Sequence, residues 1–287
     1  MGSYSPLVKP NAIAPKKRLG QHFLRDTGII DRIVRWMDPG PEDIFIEIGA
    51  GDGALSIRLA PRVAKILAIE VDRDCIPILE TALSPFDSAE VMQGDILEIK
   101  PQLLASALLK TGRKLRVAGN LPYNISTAII ATFLKSGLPI EDMLFMVQTE
   151  VAQRITAPPG SRQYGYLSVL CQHHCDVQPG FKISPSCFVP RPKVSSSMVS
   201  LKPREISTDA GFESDFEQLV KAAFGHRRKT LANSLGRHPV FSGLRDSLLR
   251  RAGIDGSRRA EMLSVPEFEI LTRVYREADQ STSGNEI

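Results

Sequence analysis

The stretch DIFIEIGAGDGALSIRL, residues 43–59, constrains the fold more than any other part of the chain. An apolar run breaks on a cluster of glycines, and a helical pattern follows at once. That order reads as a buried strand, a tight turn and a helix. Gly49 and Gly51 let the chain turn sharply and leave bare backbone beside any ligand.

The same grammar then repeats. KILAIEVD (65–72), AEVMQGD (89–95), LRVAG (115–119) and DMLFMVQ (142–148) read as strands, while CIPILETAL (75–83), PQLLASALLK (101–110) and STAIIATFLK (126–135) read as helices. A helix over DTGIIDRIVRWM (26–37) precedes the first strand. This alternation predicts an α/β fold, with a parallel sheet wound on both faces. YGYLSVLCQHHCDV (164–177) and SSSMVSLKP (195–203) follow without a helix between them and read as an antiparallel pair closing one edge. Composition breaks at KPREISTDAG (202–211), and beyond it the pattern is helical only. Phe216, Leu219, Val220, Ala223 and Phe224 make one apolar face there, ended by Gly225, and RRKTLANSL opens another helix. The expected organisation is a mobile basic arm over 1–17, a catalytic α/β domain over 18–205, a helical domain over 206–278 and a disordered polar tail over 279–287.

Composition narrows the class. In 287 residues, 43% are hydrophobic and 24% charged, as in soluble globular proteins. No apolar run reaches the roughly 18 residues needed to span a bilayer, and no secretory apolar segment follows the first cations, so a cytoplasmic protein is expected. Four cysteines make no disulfide framework in a chain of this size. CQHHC at 171–175 invites a metal reading. On a strand, however, Cys171, His173 and Cys175 would be spaced about 6.6 Å apart, too far for ligands of one zinc ion with bonds of about 2.0–2.3 Å. No metal is expected. The net charge is only +4, yet the ten Lys and Arg between Lys221 and Arg259 face only Asp246 and Asp255, a local excess of +8. Lys9 to Arg25 adds five cations and no anion. Two basic flanks favour a polyanionic partner.

Three carboxylates mark the strand ends. In an open α/β sheet, ligands sit in the crevice outside those ends. EIGAGDGA alone satisfies a loose dinucleotide pattern, and Glu70 is placed to accept from two ribose hydroxyls, which leaves NAD and S-adenosylmethionine both open. Glu47 suits the methionine portion of a zwitterion, Asp95 suits an adenine amino group, and the fourth strand ends in NLPY, for which hydride transfer has no use. These favour S-adenosylmethionine. Asn120 and a neighbouring backbone carbonyl can accept from an aromatic amine, Pro122 fixes φ and so aims that carbonyl, and Tyr123 offers a stacking face. Positioning would supply the rate.

RLGQHFLRD (18–26), EIGAGDGALS, AIEVDRD, QGDIL, GNLPYNIST, CFVPRPKVSSSMV (187–199) and AAFGHRRKTLANSL (222–235) occur in this order. Together they resemble the KsgA-type ribosomal RNA adenine dimethyltransferases over about residues 18–265. The resemblance implies a class I methyltransferase fold, Rossmann-like with a mostly parallel seven-stranded sheet, plus a small all-α C-terminal domain. It implies S-adenosylmethionine binding by His22, Leu24, Gly49, Gly51, Glu70, Asp95 and Asn120, with Phe188 covering the target adenine opposite Tyr123. It further implies 16S rRNA in the 30S subunit as the partner of a monomeric enzyme. Arg227, Arg228 and Lys229 are expected to contact that RNA. The rival readings are a 23S rRNA adenine methyltransferase of the erythromycin-resistance type and an assembly factor with secondary catalysis.

Overall fold

A computed structural model describes residues 14–101, 103–104, 113–205 and 208–283. The chain divides into two compact units, one of residues up to 152 with 177–203, the other of 153–176 with those from 204 onward. The second unit thus takes in a segment that the sequence assigns to the catalytic domain.

The first unit holds the sheet. In chain order its strands are β1 (Phe23–Leu24), β2 (Ile44–Ile48), β3 (Lys65–Glu70), β4 (Ala89–Gln93), β5 (Leu115–Asn120) and β6 (Ile140–Gln148). There follow β7 (Cys175–Ile183), β8 (Phe188–Val189) and β9 (Ser196–Pro203). Seven of them form one sheet in the order β4-β3-β2-β5-β6-β9-β7, and β1 pairs separately with β8. The β4, β3, β2, β5 and β6 neighbours are parallel, while β9 runs antiparallel to β6. Helices α1 (Thr27–Met37), α2 (Ser56–Leu59), α3 (Ile76–Leu83) and α4 (Ser126–Leu134) connect or flank these strands. The helix expected over 101–110 lies largely outside the described residues.

Every residue of β2 is buried, as a central parallel strand covered on both faces requires. β5 passes so close to β2 that a Cβ on Gly119 would come within 2.5 Å of the Ile48 carbonyl oxygen. No other residue fits there without backbone movement. Ile33, Met37, Phe45, Leu59, Ile66 and Ala118 are central to the core that fixes the strand ends.

The second unit is helical. It contains the end of α5 (Thr149–Ile155), then α6 (Tyr166–His174), α7 (Ala210–Phe224), α8 (Leu231–Leu235), α9 (Arg245–Arg251) and α10 (Val265–Ser283) around Phe216, Leu231, Phe241 and Phe268. α7 is capped by the Asp209 side chain, which accepts from Phe212 N–H, and it ends at Gly225 as expected.

Two expectations are corrected here. Residues 166–174 form a helix, not a strand, opened where the Gly165 N–H donates to Ser168 Oγ at 3.0 Å; the strand begins only at Cys175. Leu167 to Cys171 and His173 are all buried, so neither a period of two nor one of 3.6 stands out in the sequence. The spacing argument that excluded a metal at CQHHC falls with the strand. At the other end, α10 continues through Ser283, so residues 279–283 of the expected disordered tail are helical, and 284–287 lie outside the described residues.

Candidate active site

A cleft opens at the carboxyl ends of β2, β3 and β5. Its lining includes Glu47 near the end of β2, Gly49 and Gly51 from the turn after it, Glu70 from the end of β3, Asn120 from the end of β5 and Tyr123 from the corner beyond it. His22 and Leu24 reach it from the N-terminal side. Residues about a hundred positions apart in the chain, singled out by their types and spacing or, for His22 and Leu24, by the family resemblance, thus meet in one place.

The glycine turn makes the floor. Gly49, Gly51 and Gly53 have φ of 67°, 60° and 88°, the left-handed region open chiefly to glycine. A Cβ on Gly51 would stand 3.2 Å from the Phe23 ring. Glu70 is 5% exposed and held at both oxygens, accepting from Gly51 N–H at 2.7 Å and Asp72 N–H at 2.8 Å. Each carboxylate oxygen keeps a second lone pair for a hydroxyl. Burial raises the Glu70 pKa, against the pull of those backbone donors.

Glu47 is 2% exposed and accepts from the Ser56 hydroxyl. Burial pushes its carboxyl up to about 8. A group so poised favours a cation brought beside it, as the ammonium of an amino acid would be.

The corner is built from the sequence's rigid tetrapeptide. Asn120 Nδ2 donates to the His22 carbonyl at 2.9 Å, which settles the orientation of the amide and leaves Oδ1 as the acceptor facing away. His22 in turn donates from Nδ1 to the Pro190 carbonyl at 2.7 Å, and its ring stacks on Tyr123 with centroids 5.5 Å apart. The Tyr123 hydroxyl hydrogen-bonds Ser196 Oγ at 2.7 Å. Burial raises the Tyr123 pKa, so the phenol stays protonated.

Two expected site residues are placed differently. Asp95 lies two residues beyond the Gln93 that pairs with Glu70, but its Oδ1 accepts from Leu97 N–H at 2.9 Å and it is not part of the cleft lining. Phe188 is 2% exposed, opposite Leu24 in the β1–β8 pair and packed into the core, not turned to the cleft.

Several residues near the site are not apparent from the sequence. Lys16 Nζ pairs with Asp72 and with Asp74, and Gln21 Nε2 donates to Asp72 Oδ2 at 2.8 Å. Lys16, expected to lie in a mobile arm, is thus held just beyond the end of β3; residues 1–13 lie outside the described residues. Arg25 pairs with the buried Asp52 of the glycine turn. Ser196, fully buried in β9, steadies Tyr123. The one signal for Lys16 and Gln21 is the stretch KKRLGQHFLRD (16–26), where polar residues crowd an apolar pair.

A glycine floor, a buried acid suited to an ammonium and a second acid with lone pairs left for hydroxyls fit S-adenosylmethionine, and with this sheet they define a class I methyltransferase. More narrowly, the chain belongs to the ribosomal RNA adenine dimethylase family, whose sequence model matches residues 13–275. It is 42% identical over 260 residues to the ribosomal RNA small subunit methyltransferase A of Methylococcus capsulatus, covering 90% of this chain and 97% of that protein. The protein of the same name from Clostridioides difficile is 41% identical over 261 residues, 90% of each chain. Among solved structures, a dimethyladenosine transferase from Plasmodium falciparum superposes with a TM-score of 0.77 at 24% identity, covering 90% of this chain and 98% of that one. The 23S rRNA methyltransferase ErmE gives 0.67 at 25% identity, covering 88% and 99%.

Proposed function

We propose that this protein transfers methyl groups from S-adenosylmethionine to N6 of two adjacent adenosines near the 3′ end of 16S rRNA in the 30S subunit. The product is N6,N6-dimethyladenosine, and the enzyme takes part in small-subunit biogenesis as a cytoplasmic monomer. Relatives above 40% identity carry the small-subunit name, whereas the large-subunit enzyme ErmE stands at 25%. The observation that carries the chemistry is the Asn120 amide, whose nitrogen is occupied by the His22 carbonyl and whose oxygen is therefore the end offered to a substrate amine.

S-adenosylmethionine supplies, when bound, an electrophilic methyl on a sulfonium sulfur. Glu70, Gly49 and Gly51 are the residues that would hold its nucleoside portion, and Glu47 its ammonium. The adenine amine is a weak nucleophile because its lone pair is delocalised into the ring. Asn120 Oδ1 accepts one N–H of that amine and fixes its direction. Leu121, Pro122 and Tyr123 form the rigid wall beside it, and the Tyr123 ring supplies the stacking face. Transfer to N6 would form a nitrogen–methyl bond as the methyl–sulfur bond breaks, the electron pair staying on sulfur as a thioether, and the cationic nitrogen would then lose its surplus proton to water. Tyr123 is no base, since its phenol is held protonated and hydrogen-bonded to Ser196. Rate comes from orientation and from electrostatics at the amine.

The test is methyl incorporation from labelled S-adenosylmethionine into purified 30S and 50S particles lacking the modification. Label confined to the 3′ end of 16S rRNA is expected. Label in 23S rRNA would replace the small-subunit reading, and label in neither would end it.

A further inference from the structure

The helical unit holds a cluster that methyl transfer does not use. His173 and His174, the last residues of α6, both turn to one carboxylate on α7. His173 Nε2 lies 3.3 Å from Glu213 Oε2, and His174 Nε2 lies 3.5 Å from the same oxygen. All three ligand atoms fall within 4.8 Å of one another. Around a tetrahedral zinc ion with bonds of about 2.0–2.1 Å, neighbouring donors stand about 3.3–3.4 Å apart. Two edges of that tetrahedron are already formed.

Three further observations point to a cation. Glu213 Oε2 is buried and makes no hydrogen bond, although its twin Oε1 accepts from Thr208 Oγ1. His173 Nδ1 hydrogen-bonds Glu269 Oε1 of α10 at 2.8 Å. A proton held at Nδ1 leaves the Nε2 lone pair free for a metal, the arrangement in which an outer carboxylate orients a ligating histidine. Charge also balances: two neutral imidazoles and the carboxylates of Glu213 and Glu269 sum to the opposite of a divalent ion.

We propose that His173, His174 and Glu213 bind one zinc ion, with Glu269 orienting His173 and water at the fourth position. Two imidazoles and one carboxylate suit zinc, whereas calcium and magnesium take oxygen donors. The ion ties α6 to α7 directly and to α10 through Glu269, so its effect is on the stability of the helical unit. The CQHHC thiols take no part. Cys171 and Cys175 are fully buried, and burial pushes both thiols far above their ordinary range. Without the ion, the His173 pKa is raised: burial opposes the charged form, but Glu213 and Glu269 outweigh it. Zinc and proton compete for one nitrogen.

The experiment uses the full-length chain, stripped with a chelator and dialysed. Zinc is titrated against a chromophoric chelator, and melting is followed with and without the ion. One zinc per chain and a raised melting temperature are expected. Cobalt in its place should give tetrahedral visible bands without a thiolate charge-transfer band. His174→Gln, at the less buried histidine, should abolish saturable binding while the circular dichroism stays native. Glu269→Gln should weaken binding by about 10–100-fold, and Cys171→Ala should leave it unchanged. Absence of saturable binding to the folded wild type overturns the site and leaves His173 hydrogen-bonded between two carboxylates. Unaltered binding by His174→Gln, or a thiolate band with cobalt, overturns the ligand set.

Discussion

Asn120 Nδ2 donates to the His22 carbonyl at 2.9 Å, tying the end of β5 to the segment that enters the cleft from the N-terminal side. Its nitrogen thus locks the wall, while in the proposed chemistry its oxygen meets the substrate. Asn120→Ala should therefore cost about 10²–10³ in single-turnover methyl transfer, the range for removing one preorganised hydrogen-bonding group. The fold should survive, because Asn120 is only half-buried at the rim. Transfer within a few-fold of wild type, with normal melting, would remove Asn120 from the proposed chemistry.

Tyr123 and Phe188 are expected from the sequence to be the two faces of one base sandwich, but Phe188 is buried and does not line the cleft. Tyr123 lines the cleft, so Tyr123→Ala should lose about 1–3 kcal/mol of base stacking with S-adenosylmethionine affinity retained. Ser196→Ala should reproduce a smaller part of that loss by freeing the phenol. Phe188 is a core residue at 2% exposure. Phe188→Ala should cost about 3–5 kcal/mol of stability, read by denaturant unfolding. A native melting curve together with lost transfer to RNA would return Phe188 to the base site.

Glu47 gives the site a pH dependence. Burial raises its carboxyl from 4.5 to about 8; the Ser56 hydroxyl opposes this, and Glu70 and Asp52 reinforce it. A carboxyl raised in the fold favours folding while protonated. Its contribution is full below about 4.5 and is lost as the pH climbs through about 8. Glu47→Gln stays neutral throughout, so its stability should gain on the wild type across that window. Binding of a ligand ammonium should ionise Glu47 and release up to about one proton at neutral pH. Calorimetry in buffers of different ionisation enthalpy reads that proton, and no buffer dependence would mean the ammonium sits elsewhere.

The strand ends are legible in the sequence because burial on both faces and glycine turns leave clear signatures. β2, β3 and β5, with Glu70 and Asn120 at their ends, need no knowledge of distant partners. What stays hidden depends on such partners. Lys16 meets Asp72 across 56 positions, and Ser196 meets Tyr123 across 73. Residues 166–174 mimic a strand because burial all round erases periodicity. The charge window misleads for a related reason: Lys221, Arg251, Arg258 and Arg259 pair with Glu217, Glu277, Glu267 and Glu261, all outside it.

That pairing concentrates the RNA-docking expectation on one turn. Arg227, Arg228 and Lys229 are exposed between α7 and α8, with no carboxylate partner among the described residues. They are not equivalent. An Arg227 guanidinium nitrogen donates to the Arg162 carbonyl at 2.9 Å, bracing the helical unit, whereas the side chains of Arg228 and Lys229 make no such bond among the described residues. The helix α8 starts from a Thr230 cap, so neither of these two residues supports it. Arg228→Glu with Lys229→Glu is therefore the clean variant, and Arg227→Glu should also lower the melting temperature. Each phosphate that the protein no longer neutralises should reduce the salt slope of binding by about 0.7–0.9. The double variant should bind 30S particles more weakly, with a slope smaller by up to about twice that amount. Its affinity for S-adenosylmethionine should not change, because every residue lining the cleft belongs to the other unit. Filter binding across a salt series gives affinity and slope, with melting as the control for folding. A folded double variant with wild-type affinity and slope would make the turn a solvated surface. RNA docking would then fall to Arg237 and Arg250, the other cations of this stretch without a carboxylate partner among the described residues.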